Sequence, residues 1–145
     1  MVPGGRGTRT GQHWETVIKP VLEIHYPGRF ALQVPVGQQL FGGIYKADAL
    51  IRDPSGDVII SAKWQQVRGT AEQKILYDIA SLLKIIREAN GRYRKAYIVL
   101  GGIGFSNNAR NFLLEQGHKD LFTNGHLVEV ITIDEFLAHA NTGNL

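Results

Sequence analysis

Asp48, Ser61, Lys63 and Glu72 are the residues of this chain whose types and spacing suit hydrolytic chemistry. Ser61, Lys63 and Gln65 sit on alternate positions after the apolar run Val58-Ile59-Ile60, so a strand over 57–64 projects them on one side. The tetrapeptide Asp53-Pro54-Ser55-Gly56 is a turn: Pro54 presets φ and the Asp53 side chain caps the backbone. A hairpin centred there brings Asp48 opposite about residue 61. Charges at the end of a buried strand must be paired, solvated or ligated, and an Asp48–Lys63 cross-strand pair is the plain solution. The same residues with Glu72 give two carboxylates and a lysine at a sheet edge, the donor set of metal-assisted phosphodiester hydrolysis. Oxygen ligands suit Mg²⁺, with Mn²⁺ as a substitute. The metal would lower the pKa of an attacking water while the lysine orients that water or meets the developing anion.

Glu72 precedes Ile75 and Ile79 by three and seven residues, which places it on the inward stripe of a helix. Gln73 already answers Thr70 in a capping box, which leaves Glu72 free for a site. The plain alternative is an acid stabilised at a helix N-terminus by roughly 0.3–1 kcal/mol.

The elements that must position these residues read as follows. Residues 1–10 are a Gly- and Arg-rich basic arm, and 11–25 a first helix that Pro20 kinks. Two strands follow with a turn near Gly42 and Gly43, then the 57–64 strand. A long helix from Thr70 to Gly91 buries Ile75, Ile79, Leu82, Leu83 and Ile86. "KAYIVLGG" is a strand buried on both faces. Ser106 caps a helix that Gly117 stops, "HLVEVITI" is a last strand, and "DEFLAHA" a final helix. The expected fold is α/β: one domain over 11–140, a mixed sheet flanked by helices on both faces, with 141–145 a flexible tail.

Composition bounds the function. No run approaches the roughly 18 apolar residues of a membrane span, and the N-terminus lacks the apolar segment of a secretory signal, so a cytoplasmic protein with no membrane partner is expected. Cysteine is absent, which removes disulfides, thiolate metal sites and thiol nucleophiles. His13, His25, His118, His126 and His139 show no metal-ligand spacing. The net charge of +3 is modest, but Lys84, Arg87, Arg92, Arg94 and Lys95 crowd one segment, either as a phosphate-facing patch or as cations suited to a helix C-terminus.

Asp48, twelve intervening residues and then Ser61-Ala62-Lys63, within an αβββαβ order, resemble the PD-(D/E)XK nuclease superfamily over about residues 11–132. The resemblance implies a restriction-endonuclease-like core, with Asp48 as the metal-binding aspartate and Lys63 as the catalytic lysine. Glu15, on the first helix, resembles the helical glutamate that some members add. Ala47 stands where the motif has proline, and Ser61 where it has its second acid. Some members with Ser-X-Lys recruit a glutamate from the following helix, for which Glu72 is the candidate and Glu15 the reserve.

The implied activity is Mg²⁺-dependent DNA endonuclease cleavage of homing, phage or restriction type, by a homodimer or higher homo-oligomer in the cytoplasm, that of a host cell if the chain is phage-encoded. The alternatives are a Holliday-junction resolvase and a catalytically inactive DNA-binding domain of the same fold. Arg68, Lys46, Arg110, Arg92 and Arg94 are candidate DNA contacts. The glycine-rich "GGIGFSNNAR" could cradle a phosphate at a helix N-terminus, and Gln65 could contact phosphate or metal-bound water.

Overall fold

A computed structural model describes residues 16–64, 71–102 and 104–145. Helix α1 is seen over 16–25 and runs through Pro20 without interruption. Then come β1 (Phe30–Gln38), β2 (Ile44–Ile51), β3 (Asp57–Trp64), α2 (Ala71–Glu88), β4 (Tyr93–Gly101), α3 (Asn107–Leu114), β5 (Val128–Thr132) and α4 (Ile133–Asn141). Two short 3₁₀ turns, Gly117–Asp120 and Gly125–Leu127, link α3 to β5.

The five strands form one sheet in chain order. β1, β2 and β3 are antiparallel neighbours, while β4 and β5 extend the sheet in parallel with β3. Tight turns suffice for the first two connections. The parallel ones need crossovers, and α2 and α3 provide them. The mixed sheet with flanking helices is the fold the residue pattern predicts.

Alternation along the strands splits the core in two. Ile59, Ala96, Ile98, Leu100, Val128 and Val130 face α2 and α3 through Ile75, Ile79, Leu82, Ile85 and Leu113. Val58, Ile60, Tyr97, Val99 and Ile131 face α1 and α4 through Ile18, Leu22, Phe136 and Ala140. Each fully buried aliphatic side chain contributes roughly 1.5–3 kcal/mol, so β3 and β4, lined on both faces, anchor the molecule. Ile85, rather than the expected Leu83, completes the buried stripe of α2. Leu83 is only partly buried, because a position one residue on from Leu82 turns about 100° around the helix.

The 53–56 turn forms as expected. The Asp53 carboxylate accepts from the Ser55 amide and hydroxyl at 2.9 and 2.8 Å, and the Gly56 amide donates to the Asp53 carbonyl at 3.0 Å. The two Ser55 bonds, led by that from the amide, lower the Asp53 pKa. Ser106 caps α3, accepting from the Ala109 amide at 3.2 Å. Gln116, not Gly117, takes the left-handed conformation after α3 (φ 62°). Gly117 is needed for space instead, since a Cβ there would sit 2.5 Å from the Phe112 ring.

Residues 141–145, expected as a flexible tail, end in a buried Leu145 whose amide donates to the Tyr26 hydroxyl at 3.2 Å and whose carbonyl accepts from Arg94 at 2.7 Å. The Thr70 capping position lies outside the described residues. Among the described residues no helix is long and apolar enough to cross a membrane.

His118 is wholly buried beside β5, its Nε2 2.6 Å from the Val128 carbonyl. That carbonyl can only accept, so Nε2 carries the proton in the neutral ring. Burial pushes the His118 pKa below its ordinary 6.5. The unfolded chain therefore binds the proton first as pH falls. Stability is full above about 6.5 and declines as pH drops towards the folded pKa. His118→Gln, which keeps a donor for Val128, is expected to flatten that decline, checked by thermal melts across the acidic range.

Candidate active site

The site is assembled where β2 and β3 part. Their paired register runs from Ile51–Val58 to Ala49–Ile60, and its continuation sets Asp48 opposite Ser61 as the hairpin predicts. The Asp48 carboxylate takes over there from the backbone: Oδ2 accepts from the Ala62 amide at 2.7 Å. A strand-edge amide is thereby satisfied by a side chain, and the carboxylate is fixed against β3.

Backbone conformation makes room for it. On β1, Leu32 packs with the α1/α4 cluster and Val34 with the α2/α3 cluster; on β2, Ala49 and Ala47 divide the same way. Residues two apart on a regular strand share a face, so both strands slip phase at Gln33 and Asp48. Gln33 is in the left-handed region (φ 54°), and its amide reaches Asp48 Oδ1 at 3.4 Å. A non-glycine residue at positive φ costs of order 1–3 kcal/mol and concentrates at functional sites.

Lys63 does not pair with Asp48, as the plain reading expects. Its ammonium meets Asp78 Oδ2 on α2 at 2.8 Å and lies 5.9 Å from the Tyr45 ring centroid. α2 packs against the Lys63 face of β3 and delivers a carboxylate there, so the nearer partner takes the bond. The Tyr45 hydroxyl and Ser61 Oγ share a hydrogen bond at 3.0 Å beneath it. Lys63, Asp78, Ala62, Trp64, Lys74, Ile75 and Phe105 line an open cavity of about 180 Å³. Gly101 seats the neighbouring indole: β3 and β4 pair Trp64 with Gly101, and a Cβ at Gly101 would overlap the Trp64 ring.

Electrostatics divides the roles. Burial raises the Asp48 pKa above its ordinary 3.8 despite the Ala62 bond and the nearby Lys63 charge. Burial also raises the Tyr45 hydroxyl above 10.0, so Tyr45 is neutral near pH 7. For Lys63 burial alone would lower the pKa, but Tyr45, Asp78 and Asp48 outweigh it and leave a net rise above 10.5. Lys63 is thus a fixed cation, suited to hold an anion or orient water rather than to take a proton.

The remaining expected site residues are placed as follows. Glu72 accepts from the Ser106 amide at 2.9 Å and the Ser106 hydroxyl at 3.1 Å. It serves as the anion at the α3 N-terminus, the place where the glycine-rich segment could otherwise cradle a phosphate. Glu15, Gln65 and Arg68 lie outside the described residues. Lys46 is exposed two residues before Asp48, and Arg110 is partly exposed on α3. Arg92 stacks on Tyr93 and Arg94 reaches Asp53 at 3.8 Å, both at the start of β4, whereas Lys63 pairs with Leu100 near its end. Lys84 and Lys95 of the basic segment are paired with Glu88 and Glu129.

Mg²⁺ takes one or two carboxylates and fills its octahedron with water and phosphate oxygens. Asp48, rigidly held and oxygen-bearing, meets the lower requirement. Among the described residues no group of three or more His, Asp or Glu side chains could hold a metal. Asp78, Tyr45 and Gln33 join the site without having been singled out in the sequence. Asp78 left a faint signal as an acid beside the buried Ile79, and Tyr45 as an aromatic alternating with Ala47. The backbone of Gln33 left none.

Residues 6–144 match the model of the PD-(D/E)XK nuclease superfamily domain. No curated protein sequence matches the chain. The solved structures that resemble it include three at a TM-score of 0.47. They are AF1548, a protein of unknown function (13% identity, 79% of this chain, 54% of that one), protein VC1899 from Vibrio cholerae (18%, 89%, 30%), and the small subunit of the heterodimeric restriction endonuclease R.BspD6I (14%, 94%, 68%). The chain spans 54% and 30% of the first two. With a family match over nearly the whole sequence, on a mixed sheet flanked by helices, the chain belongs to the PD-(D/E)XK nuclease superfamily.

Proposed function

We propose that the chain is a Mg²⁺-dependent DNA endonuclease of the cytoplasm, acting as a homo-oligomer so that two sites address two strands. The observation that carries this reading is a half-buried, amide-anchored carboxylate, Asp48, beside a permanently charged Lys63 that opens into a cavity. Asp48 would hold the metal, with Mn²⁺ an acceptable substitute. A bound divalent ion supplies charge neutralisation at the scissile phosphate and a more acidic water. Lys63 holds the phosphate oxygen or the attacking water on the cavity side, and Asp78 keeps its ammonium from swinging away. Lys74, on the cavity wall, adds a second cation for the phosphate.

The second acid is the open element of the site. Ser61 offers a hydroxyl already bonded to Tyr45, and Glu72 must leave Ser106 to serve. Glu15 remains the reserve. The commitment of Ser61 and Glu72 to structural bonds favours one alternative, a DNA-binding domain that has lost cleavage. Arg68, Arg110 and Lys46 would then supply the phosphate contacts.

Incubation with plasmid and branched DNA, in Mg²⁺ and in EDTA, separates the readings. Nicking or linearisation that needs the metal, falls by roughly 10²–10³-fold in Lys63→Met and disappears in Asp48→Ala is expected of the enzyme. Binding without cleavage on every DNA leaves the inactive domain. Resolution of branched DNA alone indicates a junction resolvase.

Asp48→Asn separates stability from activity. The raised pKa means that the folded chain binds the Asp48 proton more tightly than the unfolded chain does. Stability therefore falls as pH rises from the ordinary 3.8 through the folded value. Asparagine retains an acceptor for the Ala62 amide without the partly desolvated charge. Its thermal midpoint at neutral pH is expected at or above that of wild type, with cleavage lost.

A further inference from the structure

The β1–β2 hairpin carries three exposed apolar side chains close together in sequence: Leu40 at 40%, Phe41 at 85% and Ile44 at 68% exposure. Single exposed hydrophobic residues need no explanation, but a cluster on a protruding turn does. The turn is also rigid. The Gln39 amide donates to the Gly43 carbonyl at 2.8 Å and the Gly42 amide to the Gln39 carbonyl at 3.0 Å. The Leu40 amide donates to the buried Ser81 hydroxyl at 2.9 Å and the Phe41 amide to the Tyr77 hydroxyl at 3.1 Å. The Phe41 ring leans on Tyr77 with centroids 5.2 Å apart. An aromatic side chain is thus held outward by backbone bonds, with little of its own surface buried.

Its position ties it to the cleavage site. Tyr77 and Ser81 form one i, i+4 column on α2, and Lys74 and Asp78 form the next, the column that faces the Lys63 cavity. Along β2, exposed Ile44 and Lys46 alternate with buried Tyr45 and Ala47 and so face outward, away from the α2 side, up to the phase slip at Asp48. Lys46 stands about 6.7 Å along the strand from Asp48, a spacing at which it could take a phosphate beside the scissile one. Apolar tip, cation and carboxylate follow one another along one strand.

We propose that Phe41 stacks on an unpaired or unstacked base of bound DNA, next to the scissile phosphate, while Lys46 holds a neighbouring phosphate. The proposal rests on the nuclease reading and gives it a substrate class: DNA whose bases are already unstacked near the cut. Every base offers a π-face, so the contact is tolerant of sequence. Insertion into a perfect duplex must first unstack a base step, and a bulge or mismatch has already met that cost.

The test is metal-free binding of a short duplex with a single-base bulge marked by 2-aminopurine, against the same duplex fully paired. The wild type is expected to prefer the bulged duplex and to change the 2-aminopurine fluorescence. Phe41→Ala should lower bulge affinity on the order of tenfold, abolish the fluorescence change and leave paired-duplex affinity as it was. Phe41→Trp should retain the preference. Phe41 is exposed, so the variants should melt as wild type does. Equal affinities of Phe41→Ala and wild type for both duplexes overturn the proposal. So does a loss of self-association in Phe41→Ala, seen by sedimentation, with DNA binding intact, because the hairpin then serves a second copy of the chain. Wild-type protein that binds neither duplex at low salt sinks the nuclease reading with it, whereas metal-dependent cleavage with no preference for the bulged duplex, unchanged in Phe41→Ala, sinks the stacking proposal alone.

Discussion

One hydrogen bond organises the site: the Ala62 amide donating to the Asp48 carboxylate where the β2–β3 ladder ends. A sheet that parts leaves backbone donors without partners, and an unsatisfied buried amide costs as much as a lost hydrogen bond. Asp48 removes that cost and in return is held in one orientation. Burial opposes its ionisation, and the left-handed Gln33 adds backbone strain beside it. The core strands β3 and β4, sealed on both faces, provide the stability against which this expense is set.

Much of this was legible in the sequence because it rests on periodicity and turn chemistry. The apolar run through Ile60, the Asp53–Gly56 turn and the amphipathic stripe of α2 define a hairpin and a covering helix, and they set Asp48 opposite Ser61 without further information. Partner choice was not legible. Lys63 joins Asp78 rather than Asp48 because of how α2 rotates and crosses the sheet, which no strand-pairing rule specifies. Glu72 was rightly placed on an inward face, but its neighbour there is the α3 N-terminus, a contact between segments far apart in the chain. The phase slip at Gln33 is invisible in sequence because glutamine carries no preference for positive φ.

The missing second acid gives this member of the superfamily its character. Serine at position 61 is used structurally, closing a hydrogen bond with Tyr45 under the lysine. The carboxylates nearest to the motif serve other partners, Asp78 for Lys63 and Glu72 for Ser106. Each of those bonds fixes a piece of the cavity wall. Recruiting either acid to a metal would release an element that the cavity depends on.

The central claim is that Asp48 is the acid on which metal binding depends. Its most direct test is a titration of Mn²⁺ into the protein, followed by water-proton relaxation, in wild type, Asp48→Asn and Glu72→Gln. The account predicts specific binding in wild type that is lost in Asp48→Asn while that variant remains folded. Undiminished binding in Asp48→Asn, with loss in Glu72→Gln, would contradict it.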